Sequence, residues 1–163
     1  MSWHAIKIIS GGQTGADRAA LDFAIERGIL HSGWCPRGRL AEDGPLPDRY
    51  ALRETPTRKY AERTIWNVRD SDATVVFSIA AEPQGGTRLT LQVAARLGKP
   101  VLHLSRDALK RETGDAVAEA AERMLAFLAE HDVATLNVAG PRASQEPEIT
   151  KFVQSVLERS LRP

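Results

Sequence analysis

The stretch IISGGQTGADRAALDFA, Ile8 to Ala24, runs a short apolar segment into three glycines and then into an alanine-rich helical pattern. Glycines at such a turn let backbone N–H groups approach a ligand closely, and the helix start that follows favours an anion. The turn nevertheless matches neither familiar phosphate motif. A P-loop needs Gly-Lys-Ser/Thr where Gly15 is followed by Ala16 and Asp17, and a dinucleotide fingerprint would separate Gly11 from Gly12, which are adjacent. The reading is a strand, a phosphate-suited turn of another class, and a helix.

The same strand-then-helix unit recurs along the chain. Apolar, β-rich runs lie at Ala5–Ile9, Ala73–Ile79, Pro100–Leu104 and Ala134–Val138, with a weaker candidate at Ser32–Cys35. Nearly unbroken hydrophobicity suits strands buried on both faces, as in a parallel sheet. Between them, Leu89, Val93 and Leu97, then Val117, Ala121, Met124 and Leu128, then Ile149, Phe152, Val153 and Val156 repeat at helical spacing. Thr14-Gly15-Ala16-Asp17 reads as a capping box, Thr55 before Pro56 as a helix start, and Ser144 as the cap of the last helix. These features predict one domain over residues 1–163. Its expected fold is α/β, doubly wound and Rossmann-like, with about five parallel strands and helices on both faces.

Composition excludes more than it identifies. The 163 residues carry 26% charged side chains and a net charge of +1, which offers no field for nucleic acid. No apolar run approaches the roughly 20 residues of a spanning helix, and no signal-peptide pattern opens the sequence. One cysteine, Cys35, rules out an internal disulfide framework and fits a reducing, cytoplasmic compartment. His4, His31, His103 and His131 are scattered without metal-ligand spacing, so no metal site is expected. Cys35 as a thiol nucleophile has no base placed beside it by sequence, and His103, inside a strand run, reads as a core residue.

Ligands of open parallel sheets bind beyond the carboxyl ends of the strands. The segments there hold Gly11, Gly12, Gln13, Thr14 and Gly15; then Arg37 and Arg39; then Gly85, Gly86, Thr87 and Arg88; then Arg106; and Arg142. Five arginines and two glycine turns on one edge predict an anionic ligand in close backbone contact. The glycines alone can be ordinary turn chemistry, and Thr14 and Asp17 can cap a helix as readily as touch a ligand. Trp34 to Thr57 forms a long segment with anchors at Trp34, Leu46, Tyr50 and Leu52. It reads as an ordered loop at the active edge, with a plain surface insertion as the alternative. The acidic run Arg69–Asp72 ends a helix before a strand and belongs at the opposite edge, in a structural role.

Taken together, SGGQTGADRAALDFA, GWCPRGRLAEDGPLPDRY, the run from Arg63 through IWNVRDSDATVVFS, GGTRLTLQVA and LGKPV resemble the molybdenum-cofactor carrier family. That family sits in a Rossmann-like superfamily with lysine-decarboxylase-like phosphoribohydrolases and the DNA-processing protein DprA. The resemblance implies that the Gly11–Gly15 and Gly85–Thr87 turns clasp a phosphorylated ligand: molybdenum cofactor (molybdopterin), or otherwise a nucleotide. Arg37 and Arg63 would neutralise its charge, and Trp34 would stack on its ring or anchor the loop. A homo-oligomer is also implied. The hydrolase relatives place an arginine nine residues before the Asp-Ala that opens a strand, where Arg63 stands before Asp72-Ala73. Their glutamate, three residues after the threonine of the second turn, is replaced by Thr90. Glycosidic cleavage needs a carboxylate near the sugar, so the departure favours a carrier or storage protein over an N-glycosidase acting on nucleoside monophosphates. Asp17 and Glu42 are the candidates to replace that carboxylate.

Overall fold

The computed structural model describes residues 5–162, so His4 lies outside the described residues. Five strands form a parallel sheet: β1 (Lys7–Ile9), β2 (His31–Ser32), β5 (Ala73–Ser78), β6 (Val101–Ser105) and β7 (Thr135–Ala139), in the order β2-β1-β7-β5-β6. The expected doubly wound α/β architecture is present. Helices α1 (Ala16–Arg27), α4 (Arg106–Thr113), α5 (Ala116–Glu130) and α6 (Ile149–Ser160) pack side by side over one face of the sheet. On the other lie α2 (Tyr60–Arg69) and α3 (Gly85–Arg96), with a second, two-stranded sheet of β3 (Trp34–Cys35) and β4 (Arg53–Glu54). All six residues of β5 are buried, as a strand covered on both faces requires.

The last strand of the chain is the middle strand of the sheet. Numbered cyclically from β7, the order of the five strands becomes 3-2-1-4-5, the order of nucleotide-binding sheets. The point where connections diverge to opposite sides therefore falls between β7 and β5.

Several local expectations differ from what the chain does. The weak strand Ser32–Cys35 splits at Gly33: Ser32 stays beside β1, while Trp34 and Cys35 leave to pair with β4. Gly33 sits at φ 142 with its α-carbon pressed on the Ser10 carbonyl, where a Cβ has no room. Helix α1 starts after Gly15, not Thr14, whose hydroxyl turns to Glu42 instead. The anticipated capping box does not form: the Thr14 N–H donates to Gln13 Oε1 at 3.0 Å, and Asp17 accepts from the Gln13 N–H at 3.2 Å instead. Thr55 and Ser144 cap nothing, since α2 begins at Tyr60 and α6 at Ile149. The side-chain caps in place are Ser105 on α4, a helix not anticipated, and Asp115 on α5. Leu97 ends α3 and is exposed rather than part of its core face.

The Trp34–Thr57 segment is ordered. Leu46, Tyr50 and Leu52 pack with Cys35, Ala41 and Leu21 of α1. Arg39, at φ 54, donates to the carbonyls of Leu46, Pro47, Tyr50 and Leu52, so it binds the loop to itself and not to a ligand. At the far edge, Asp72 accepts from the N–H groups of Ala134 and Thr135, which ties the start of β5 to that of β7.

Candidate functional site

Three turns meet beyond the carboxyl ends of β1, β7 and β5, and a two-part cavity lies among them. The inner part, about 80 Å³, is bordered by Gly11, Gln13, Asp17, Arg63, Thr87 and Arg142, with Asn137 and Gly140 of β7 and its turn. The outer part, about 310 Å³, shares Thr87, Pro141 and Gln145 with it and adds Ser78, Glu82, Gln84 and Glu146. Both parts straddle the β7–β5 divergence, where open α/β sheets place their ligands.

A buried ion pair forms one wall of the inner part. Arg63 Nη1 donates to the Gly11 carbonyl at 2.8 Å and to Asp17 Oδ2 at 3.2 Å, with Arg63 9% and Asp17 6% exposed. Gly11 has no room for a Cβ because the guanidinium lies against its α-carbon. Burial is the strongest influence on Asp17 and raises its pKa, while Arg63 and the Gln13 N–H pull it back down. Among the described residues, no protein group accepts from the remaining Arg63 N–H groups, Nε and Nη2.

Gln13 supplies a donor of a different kind. Its Oε1 accepts from the N–H groups of Thr14 at 3.0 Å and Glu42 at 2.9 Å, which fixes the amide's orientation. Its Nε2 is buried with no partner, although Gln13 is only 4% exposed and borders the inner cavity. A buried N–H group without an acceptor costs about 1–3 kcal/mol, and this one belongs to a residue on the cavity border. Helix α3, whose Gly86 and Thr87 also border the inner part, opens at Gly85 with no side chain capping its first N–H groups.

Half of the sequence-derived residues meet in this cavity. Gly11, Gln13, Arg63, Gly86 and Thr87 border it; Gly12, Thr14, Gly15, Gly85 and Arg37 do not. Gly12 packs under Leu46 and Leu52, and Gly15 against the backbone of Pro141 to Ala143. Thr14 bonds Glu42 and the Ala143 N–H, while Arg37 is exposed on the long loop. The expected convergence of arginines reduces to Arg142. Arg39 is internal to its loop, Arg88 is exposed, and Arg106 pairs with Glu148 at 2.7 Å. Trp34 anchors the loop: its indole donates to Asp70 at 2.7 Å and its ring meets Trp66 edge-on at 4.7 Å. Asn137, Gly140 and Gln145 were not singled out, because only the central position of β7 brings them here.

Glu42, Asp17 and Thr90 take different places. Hydrogen bonds from Ser144 and Thr14 engage the Glu42 carboxylate, lowering its pKa, and it does not border the cavity. Thr90 does border it, with its hydroxyl turned to the Gly86 carbonyl at 3.0 Å. Asp17 is the carboxylate of the inner part.

The family model of the circularly permutated YpsA SLOG family matches residues 8–161. A crystal structure from Syntrophus aciditrophicus SB, described as "Putative molybdenum carrier protein", shares 46% identity and superposes with a TM-score of 0.90, over 97% of this chain and 96% of that one. No curated protein matches the chain.

Proposed function

Because the chain belongs to the circularly permutated YpsA SLOG family, we propose that its cavity holds a small phosphorylated heterocycle and that the protein carries or stores it, molybdenum cofactor being the favoured ligand. The observation that carries the reading is the unpartnered Gln13 Nε2, set beside the open edge of Arg63 and the uncapped start of α3. A phosphate is the ligand group that accepts from donors of all three kinds. The adjoining outer part has room for a ring system. The likeness to a protein described as a molybdenum carrier points the same way. Among the described residues no group of three or more His, Cys, Asp or Glu could hold a metal ion. Recognition would therefore rest on the phosphate and the ring. A cytoplasmic location and a homo-oligomeric state belong to the same reading.

The test is thermal unfolding of the protein against molybdenum cofactor, molybdate, AMP, GMP, ATP and NAD. A ligand at about 100 times its dissociation constant adds about 2.7 kcal/mol, or roughly 5–11 °C for a chain of this size. A larger shift with molybdenum cofactor than with any of the nucleotides is the expected result. Gln13→Glu keeps the two bonds accepted at Oε1 and replaces the free donor by an oxygen, so the shift should vanish in that variant. An undiminished shift in Gln13→Glu would remove the observation on which the reading stands.

Gly86→Ala offers a second check. Nothing lies within 4 Å of a Cβ built there, so stability should hold or rise by about 0.5–1 kcal/mol, as alanine does in a helix. Gly86 borders the inner cavity, so titration should show ligand affinity falling about tenfold. Unchanged affinity would mean that the ligand does not approach the start of α3.

The nucleotide N-glycosidase reading retains one supporting observation, the Asp17 carboxylate beside Arg63 in the inner part. Free base released from AMP or GMP, and abolished by Asp17→Asn, would establish it.

A further inference from the structure

The two parts of the cavity present opposite hydrogen-bonding characters. The inner part offers donors: Gln13 Nε2, Arg63 and the first turn of α3. The outer part has two carboxylates on its border, Glu82 and Glu146. Glu146 is held in place, because its Oε2 accepts from the N–H groups of Ile79 at 3.1 Å and Ala80 at 2.8 Å, at the end of β5. Among the described residues, its Oε1 has no partner. A fixed carboxylate beside an anion site is repulsive to a simple anion. It becomes favourable when the same ligand brings N–H donors to it.

Resting on the reading of the inner part as the phosphate site, we infer that the outer part selects heterocycles bearing an amino group beside a ring N–H, with Glu146 as the specificity-determining residue. That edge belongs to 2-amino-4-oxo rings, shared by pterins and guanine, and it gives a carboxylate two donors. A 6-aminopurine sets an amino group beside a ring nitrogen that has a lone pair, so it offers one donor and one repulsion. Sites built around a buried hydrogen-bonding group reject analogues that lack the matching group far more strongly than apolar pockets reject a missing methylene.

The experiment is titration calorimetry of GMP, AMP and ribose 5-phosphate into the wild-type protein and Glu146→Gln. The glutamine keeps one oxygen for the Ile79 and Ala80 N–H groups and turns the other position into a donor. GMP should bind wild type about 10- to 100-fold more tightly than AMP. The variant should bring that ratio near one, while ribose 5-phosphate still binds, somewhat more tightly for the lost negative charge. The ratio separates recognition of the ring from this general electrostatic change. Equal binding of GMP and AMP to wild type, or an unchanged ratio in the variant, would overturn the inference and leave the phosphate site standing. No measurable binding of any of the three would remove both together.

Discussion

Replacing Arg63 with methionine is expected to lower stability by about 3–5 kcal/mol, as is usual when one partner of a buried ion pair is removed. For a chain of this size that is a fall in Tm of roughly 6–20 °C. Arg63 lies 9% exposed between the Gly11 carbonyl and Asp17, and its removal leaves both acceptors short of a donor. Asp17 then keeps the Gln13 N–H at 3.2 Å and the weaker support of the Ser10 hydroxyl and Arg18. The deficit should depend on pH in a definite direction. Burial already raises the Asp17 pKa above the ordinary aspartate value, and losing Arg63 removes the main influence that opposes it. A carboxyl whose folded pKa is raised holds its proton more readily folded than unfolded, so stability falls as pH rises through that folded value. The variant's deficit is thus complete above the folded pKa and shrinks as pH is lowered toward the unfolded one. The double variant Arg63→Met with Asp17→Asn should recover much of the loss, since no buried charge is stranded. Chemical denaturation of the three variants at two pH values measures all of this. A single variant within 1 kcal/mol of wild type at neutral pH would show that the pair does not support the wall.

The fold was legible where burial leaves a local trace. Ala73–Ile79 reads as a strand because β5 is covered on both faces, and Ile149, Phe152, Val153 and Val156 read as a helix face because all four are buried in α6. Strand order leaves no such trace. That β7 lies between β1 and β5 depends on pairings such as Ile8 with Leu136 and Val75 with Val138, far apart in the chain. Asn137, Gly140 and Gln145 stayed out of view for that reason. The arginines were misjudged for a related one: sequence shows the edge on which a side chain emerges, but not its partner. Arg39 is consumed by four carbonyls of its own loop and Arg106 by Glu148 and Asp107. Arg63 came from the family resemblance alone, since nothing in the periodicity of α2 sets it apart. The glycines divide by cause. Gly86 faces open space, whereas Gly12 and Gly15 are confined by the protein itself.

That division gives Gly15→Ala a large expected effect on both stability and binding. Gly15 sits at φ 84 and ψ −126, and a Cβ there would overlap the Pro141 carbonyl and come within 2.7 Å of the Ala143 nitrogen. Both obstacles are backbone atoms, so no side-chain rotation relieves them. The turn before α1 would have to part from the turn after β7. Two hydrogen bonds join those turns, Ala16 N–H to the Pro141 carbonyl at 3.2 Å and Ala143 N–H to the Thr14 hydroxyl at 3.1 Å. Backbone strain of about 1–3 kcal/mol and two hydrogen bonds of about 1 kcal/mol each give a loss of about 3–5 kcal/mol. Pro141 and Arg142 also border the inner cavity, so parting the turns widens it, and ligand-induced stabilisation should fall in the same variant. Gly28→Ala is a partial control, because Gly28 also has positive φ, at φ 67 and ψ 24 in the left-handed helical region, with nothing within 4 Å of a Cβ built there. It should show left-handed backbone strain with no steric clash, about 1–2 kcal/mol. If Gly15→Ala costs no more than Gly28→Ala and keeps its ligand response, the two turns yield freely and do not form a rigid wall. If it costs several kcal/mol more and loses that response, the glycine that opens α1 is there to let two turns close around a ligand, without touching the ligand itself.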